Sequence, residues 1–212
     1  ELRRRRDYDM QQTLAKATLS LHDTRGGDTL GRVERLGQKC DNATTIKDPG
    51  LFALAFRHAR YLLWSSSRQD SLPANLQGVW ADGLRAPWNG DYHLNINLQM
   101  TYWASSTANL GESASVLAPF LKGLVAKGET TAKEWYGVEK GWVAHGYTDR
   151  WRDSRALGEN KWALCVTCGA WAALQLVDVS EDDPASTEKL RDALSVLQGV
   201  LEFFDEYAID ID

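Results

Sequence analysis

Leu190, Leu194, Leu197, Leu201 and Phe204 recur at spacings of 4, 3, 4 and 3 residues. That rhythm gathers all five on one stripe of an α-helix but scatters them over both faces of a strand, so it commits this part of the chain to a long amphipathic helix. The same test predicts helices elsewhere. Asp48-Pro49 is an N-cap followed by a first-turn proline. Leu51, Leu54, Ala55, His58, Tyr61 and Leu62 then share a face of a helix running to about Trp64. Further helices are expected over about 96–108, around Leu117, Phe120, Leu121, Leu124 and Val125, over 130–136, and as a fully apolar helix over about 162–177. The helix carrying the leucine stripe opens at Asp183-Pro184, a second cap-and-proline pair. Nothing reads as a run of alternating strands, so the expected fold class is all-α.

Two long segments of a different character separate these helices. Residues 65–94 hold Pro73, Gly78, Trp80, Gly83, Pro87, Trp88, Gly90 and His93, and residues 137–160 hold Trp142, His145, Asp149, Trp151 and Asp153. Loops this long inside a compact domain are as a rule functional or disordered, and their aromatic content argues against disorder. Helix pairs packed in a ring, with the loops converging on one face, fit this plan, although periodicity does not separate a ring from a bundle.

The chain of 212 residues carries 24 Lys and Arg against 29 Asp and Glu, a net charge of −5. Nucleic-acid binding rests on neutralising phosphates, so this balance excludes a dedicated nucleic-acid binder. Arg3 to Arg6 sit between Glu1 and Asp7 and read as a solvated end. The uncharged stretch Trp162 to Val177 falls short of the roughly 18–20 residues of a membrane span, which predicts a buried core helix and no membrane partner. No signal-peptide pattern follows Glu1. The sequon Asn42-Ala43-Thr44 points to a secreted or extracellular full-length protein. Cys40, Cys165 and Cys168 are too few for a disulfide framework. Cys165 and Cys168 form a C-x-x-C inside the apolar helical run, where buried, inert thiols are expected, and no nearby His completes a zinc site.

Nine tryptophans need explaining. Trp64, Trp162 and Trp171, on helices, are expected in the core, as is His58. Tryptophans in loops beside Asn, Asp and His have a second use, since a sugar packs its C–H face on an indole while its hydroxyls seek polar partners. Residues 88–100 supply both kinds of group, which makes a carbohydrate or polyol site the competitor of a hydrogen-bonded structural loop. Asn95 and Asn97 stand where this loop enters a helix, and only one of them can be the N-cap. His93 and His145 read equally as ligands or as satisfied loop histidines. Glycoside hydrolysis needs a general acid and a group that activates water. The loops offer Asp82, Asp91, Asp149 and Asp153, none in a compelling motif. Glu181-Asp182-Asp183 reads as helix-start charge.

Several blocks together resemble a known family. They are Arg60-Tyr61-Leu62-Leu63 with Ser65-Ser66-Ser67-Arg68, Leu72-Pro73-Ala74-Asn75-Leu76-Gln77-Gly78-Val79-Trp80, Pro87-Trp88, Asp91-Tyr92-His93 and Asn95-Ile96-Asn97-Leu98-Gln99-Met100. Tyr102-Trp103, Asn109-Leu110 with Glu112, Gly141 to His145, Thr148-Asp149 with Trp151, and Gly169-Ala170-Trp171 extend the match from about Asp7 onward. The chain resembles glycoside hydrolase family 95, the inverting α-L-fucosidases that act mainly on α-1,2-linked fucose, with some α-L-galactosidases.

The resemblance implies that residues 1–212 are part of an (α/α)6 barrel, without the family's N-terminal β-sandwich. It implies that Asn95 and Asn97 hold and activate the attacking water, helped by an aspartate later in the family's sequence, and that His93 contacts the fucose. Trp88, His145, Asp149 and Trp151 would line or support the pocket. A fucosylated oligosaccharide or glycan is the implied partner, with inversion at the anomeric carbon and with no metal and no cofactor. The family's general acid is a glutamate in Ser-Pro-Glu-Asn, which does not occur in residues 1–212, so these residues alone are expected to be inactive. Gly146-Tyr147, Arg152 and Cys168 depart from the usual pattern around the pocket. The alternative is a truncated, non-catalytic relative that binds sugar or only folds. A partial barrel leaves helix faces open, and self-association through that edge is expected.

Overall fold

The computed structural model describes residues 1–21, 27–37, 48–181 and 187–208. Cys40, the sequon at Asn42 and the cap pair Asp183-Pro184 lie outside the described residues. The chain divides into two compact units, residues 1–62 and 63–212.

The first unit holds α1 (Leu2–Leu14), α2 (Thr29–Gly37) and most of α3 (Pro49–Ser66). Asp48 caps α3 as its sequence predicts: Oδ1 accepts the Leu51 amide at 3.1 Å. The same carboxylate takes both arms of the Arg32 guanidinium, at 2.9 and 2.6 Å. Four residues of α3 depart from the expected amphipathic face. Ala55, His58 and Tyr61 are exposed, whereas Arg60 is buried at 2% exposure. The reason is the end of α1. Arg60 Nη1 donates to the carbonyls of Leu14 and Ala17 at 2.5 and 2.6 Å, and Nη2 to that of Thr13 at 3.1 Å. A helix end leaves its last carbonyls without intrahelical partners, and a buried guanidinium with several donors satisfies them where an imidazole would not.

The second unit is built around one side chain. Trp142 is 1% exposed and lies among α6 (Leu117–Tyr136), α8 (Cys168–Glu181) and α9 (Thr187–Tyr207). Each helix meets the indole with a glycine. A Cβ on Gly128, Gly169 or Gly199 would come within 2.8, 2.8 or 2.7 Å of the Trp142 ring. The indole Nε1 donates to the Val196 carbonyl at 2.9 Å. The extended backbone on either side is held by the same helices: Trp142 N bonds Gly199 O, Val143 N bonds Gly128 O, and Gly169 N bonds Ala144 O, at 3.1, 3.3 and 3.0 Å. Leu94, Leu98, Tyr102, Phe120, Leu121, Leu124, Ala173 and Leu176 complete the core.

Several helix boundaries differ from the sequence expectation. Residues 130–136 are the last turns of α6, not a separate helix, and α4 (Asn97–Trp103) stops short of 108, with the single turn α5 (Gly111–Ala114) after it. The apolar stretch at 162–177 is not one helix: α7 (Asn160–Ala163) ends before α8 begins at Cys168. The break arises because backbone groups there bond sideways. Gly146 N takes Ala163 O at 2.9 Å, and Cys165 N donates to His145 Nδ1 at 3.1 Å. Cys165 and Cys168 are not free thiols but a disulfide across this break. Residues 160–180 have the mean hydropathy of a membrane-crossing stretch, 1.5, with 50% of that window buried in the fold. Trp64 is in the core as expected, Trp171 is half-buried, and Trp162 is 62% exposed.

The leucine stripe of α9 is also not the side it buries. Ala193, Val196, Val200 and Phe203 face the core, while Leu190, Leu194 and Leu201 are 46%, 57% and 69% exposed. Close approach to Trp142 selects the small residues around Gly199, so bulk and burial part company on this helix. A two-residue antiparallel pair, β1 (Tyr92–His93) with β2 (Tyr147–Thr148), joins the two long loops.

Candidate active-site cleft

The first long loop is tied down by buried phenols. Tyr102 Oη accepts the Ala74 amide at 2.7 Å and pairs with Ser67 Oγ at 2.7 Å, and burial pushes its pKa up to about 12. Tyr92 Oη donates to Pro73 O at 3.0 Å. Gln77 bridges the loop, its Nε2 donating to Pro87 O at 3.2 Å. Within this frame Trp88, Asn89 and Gly90 all have left-handed backbones, with φ of 51°, 60° and 60°. Non-glycine residues seldom adopt that conformation. Here it turns the chain sharply and lays the Trp88 indole on His93, with ring centroids 5.3 Å apart and planes 12° from parallel.

His93 is held on its other side by Tyr147, at 4.3 Å between centroids. That contact follows from the strand register, which pairs His93 with Tyr147 and Tyr92 with Thr148. His93 Nε2 stands 2.8 Å from Asp91 Oδ1. Burial opposes both charges. It lowers the imidazole pKa against the pull of Asp91. It raises the carboxyl pKa, with His93 counteracting and Asp149 adding to the rise. The arrangement favours a neutral imidazole beside a carboxylate, and Asp91 Oδ1 has no hydrogen-bond partner among the described residues.

These groups open on a cleft of about 820 Å³, lined by Trp88, Asp91, His93, Asn95, Tyr147, Asp149, Glu159 and Trp162. Asn95 is exposed on its wall. Asn97 is half-buried as the first residue of α4. Neither caps that helix, whose N-cap is Ile96 with no side-chain cap bond. The turn is set instead by Gln99, fully buried, whose Nε2 donates to Leu94 O at 2.6 Å. Among the described residues no hydrogen bond engages the side-chain amide of Asn95 or Asn97, so both remain able to bind solvent or a ligand.

The other expected site residues separate. His145 is fully buried and does not reach the cleft. Its Nδ1 accepts the Cys165 amide, so the proton sits on Nε2, which bonds Tyr136 Oη at 3.1 Å. Burial lowers its pKa. It therefore supports the wall from behind. Asp149 is in the cleft, its Oδ1 accepting the amides of Trp151 and Asp153 at 2.8 and 3.2 Å. Trp151, 71% exposed, lies outside the cleft in a neighbouring cavity. Trp162, Tyr147 and Glu159 are wall residues that sequence reasoning missed. Trp162 carried a signal, since it follows Glu159-Asn160-Lys161, a polar run unlike the start of a core helix. Among the described residues no three His, Cys, Asp or Glu side chains gather as a metal site.

The family model for the glycosyl hydrolase family 95 catalytic domain matches residues 1–212. The chain belongs to glycosyl hydrolase family 95. That catalytic domain is a helical barrel, and this all-α chain covers part of it. Among named relatives, alpha-L-fucosidase 2 of Arabidopsis thaliana is 39% identical over 164 residues, 77% of this chain and 19% of the relative. Probable alpha-fucosidase A of Aspergillus niger is 32% identical over 209 residues, 95% of this chain and 26% of the relative. Its namesake in Aspergillus oryzae is 39% identical over 147 residues, 68% and 20% of the two chains. The chain thus spans about a fifth to a quarter of the length of the relatives it matches. Family and relatives together make the chain similar to part of the alpha-fucosidases it matches.

Proposed function

We propose that the chain carries the water-activating part of an inverting α-L-fucosidase site that acts on terminal α-1,2-linked L-fucose, or L-galactose, in glycans. The observation that carries this reading is the free Asn95 amide on the same cleft wall as the clamped His93. In the proposed reaction, the amide oxygens of Asn95 and Asn97 accept hydrogen bonds from one water and aim its oxygen at the anomeric carbon. Attack comes from the face opposite the leaving oxygen, so configuration inverts. An amide is too weak a base to take the proton itself. The step therefore requires a carboxylate partner to receive it and a second acid to protonate the leaving oxygen. Neutral His93 donates to a fucose hydroxyl, and Trp88 and Trp162 offer indole faces to the ring.

No Ser-Pro-Glu-Asn acid occurs in residues 1–212, so the 212-residue chain is proposed to bind fucose without releasing it. Calorimetric titration with L-fucose, alongside an assay of fucose release, tests both halves. Binding without release is expected. Release by the chain alone would overturn the division of labour, and absence of binding would overturn the fucose site.

A further inference from the structure

The Cys165–Cys168 bridge lies between α7, whose Trp162 lines the cleft, and α8. Its two cysteines are unequally placed. Cys168 is 2% exposed, whereas Cys165 is half-buried, so a reagent in solvent meets Cys165 first. Cys168 begins a helix of 14 residues, and a helix N-terminus favours a thiolate over a thiol. Attack on Cys165 Sγ thus combines an accessible target with a stabilised leaving sulfur, the two conditions that speed thiol–disulfide exchange. The bridge joins residues only three apart in sequence, and so short a loop restrains little of the unfolded chain. Breaking it leaves the rest of the domain folded.

The bridge also ends a strip of the cleft wall. Leu157, Gly158, Glu159 and Trp162 line the cleft. Gly158 has φ of 97° and nothing within 4 Å of where a Cβ would stand, which makes it an unobstructed pivot at the start of the strip. At the far end Gly146 N bonds Ala163 O at 2.9 Å, Cys165 N bonds His145 Nδ1 at 3.1 Å, and Cys165 is joined covalently to Cys168. Two unbonded thiols need more room than a bonded pair. The start of α8 cannot supply it, because Cys168 is buried and a Cβ on the next residue, Gly169, would already meet Trp142 at 2.8 Å. The displacement therefore falls on Cys165 and the strip before it.

We propose that Cys165–Cys168 is a thiol–disulfide exchange site, and that its reduction by a dithiol releases the Trp162 wall of the cleft. One thiolate of the reductant attacks Cys165 Sγ. The S–S bond breaks, and its electron pair passes to Cys168 Sγ, which takes up a proton. The second thiol of the reductant, as thiolate, then attacks the mixed disulfide, closes the reductant's own disulfide and leaves Cys165 as a thiol after protonation. The protein gains two electrons and two protons, and the dithiol loses them.

The test equilibrates the 212-residue chain with graded ratios of reduced to oxidised dithiothreitol in the absence of denaturant. Acid quenching and alkylation count the thiols by intact mass, far-UV circular dichroism follows the helices, and amide hydrogen exchange reads the wall. Reduction should make two further cysteines alkylatable with the helical signal retained. Exchange over residues 157–165 should quicken about tenfold while α6 and α9 keep their protection, and reoxidation should reverse it. Cys165→Ser/Cys168→Ser should show the fast exchange with and without the reductant. Reduction that occurs only together with loss of the helical signal overturns the exchange site, since the bridge is then a structural staple. Reduction with unchanged exchange over 157–165 overturns the link to the wall. Neither readout involves a sugar, so failure here and failure of the fucose reading are separate results.

Discussion

The Trp88 indole lies almost flat on the His93 imidazole, 5.3 Å between centroids and 12° between planes. The stack depends on three consecutive left-handed residues at 88–90, so the backbone, not the side chains alone, places the aromatic wall of the cleft. Trp88 remains 67% exposed, which leaves much of the indole open to a ligand.

Gly90→Ala tests that dependence. A Cβ at this position would meet Gln77 Oε1 at 2.9 Å and would sit on a backbone with φ of 60°. We expect a stability loss of about 1–3 kcal/mol, measured by urea denaturation, and weaker L-fucose binding as Trp88 shifts. Unchanged binding would show that the stack is not needed to hold the sugar.

The cage around Trp142 predicts a sharper effect from small additions. Gly199→Ala places a methyl 2.7 Å from the indole, and overpacking of this kind costs about 1–3 kcal/mol. Trp142→Ala removes the side chain altogether and should cost about 3–5 kcal/mol. Denaturant midpoints compare the two, and a neutral Gly199→Ala would mean that α9 is free to move away.

Two histidines give the fold a pH dependence. Burial lowers the pKa of His93 and of His145 below the ordinary 6.5. In the unfolded chain both bind a proton more readily than in the folded one. Stability from these groups is therefore present above pH of about 6.5 and is lost as pH falls through their depressed folded values. Asp91, with its pKa raised, contributes the opposite slope above its ordinary carboxylate range. Melting temperatures measured from pH 7.5 down to 5 should fall, and His145→Gln should flatten the curve. Protonation of His145 also forfeits the Cys165 N–H bond at Nδ1.

The disulfide makes two countable predictions. Under denaturing conditions without reductant, alkylation should modify one of the three cysteines, and after reduction all three. Because the bridge closes only a short loop, its loss in Cys165→Ser/Cys168→Ser should cost no more than about 2 kcal/mol. The larger consequence should be a looser entry to α8 and hence a less ordered Trp162 wall, read as weaker L-fucose binding by the double variant. Equal affinity would limit the bridge to a local clasp.

Much of this arrangement was legible beforehand. The helix at 49–66 was announced by Asp48-Pro49, and the cap bond is there. The loop residues Trp88, His93, Asn95 and Asp149 do share one cleft. His145 and Trp151 were expected to line or support the same pocket, yet the fold buries the first outside the cleft and gives the second to a neighbouring cavity. Periodicity pointed to the leucines of α9 as its apolar face, yet Ala193, Val196 and Val200 are the residues buried.

Local spacing and contiguous blocks of residues were enough to read the all-α class, the Asp48 cap, the aromatic loops and the family. Which face each helix buries, where the apolar stretch breaks and which loop residues meet are set by long-range packing. Those outcomes follow from contacts between distant segments: three glycines closing on Trp142, a pair of two-residue strands joining His93 to Tyr147, and an imidazole that accepts the Cys165 amide between α7 and α8. Local pattern has no term for such contacts, since each depends on what the rest of the chain has placed alongside.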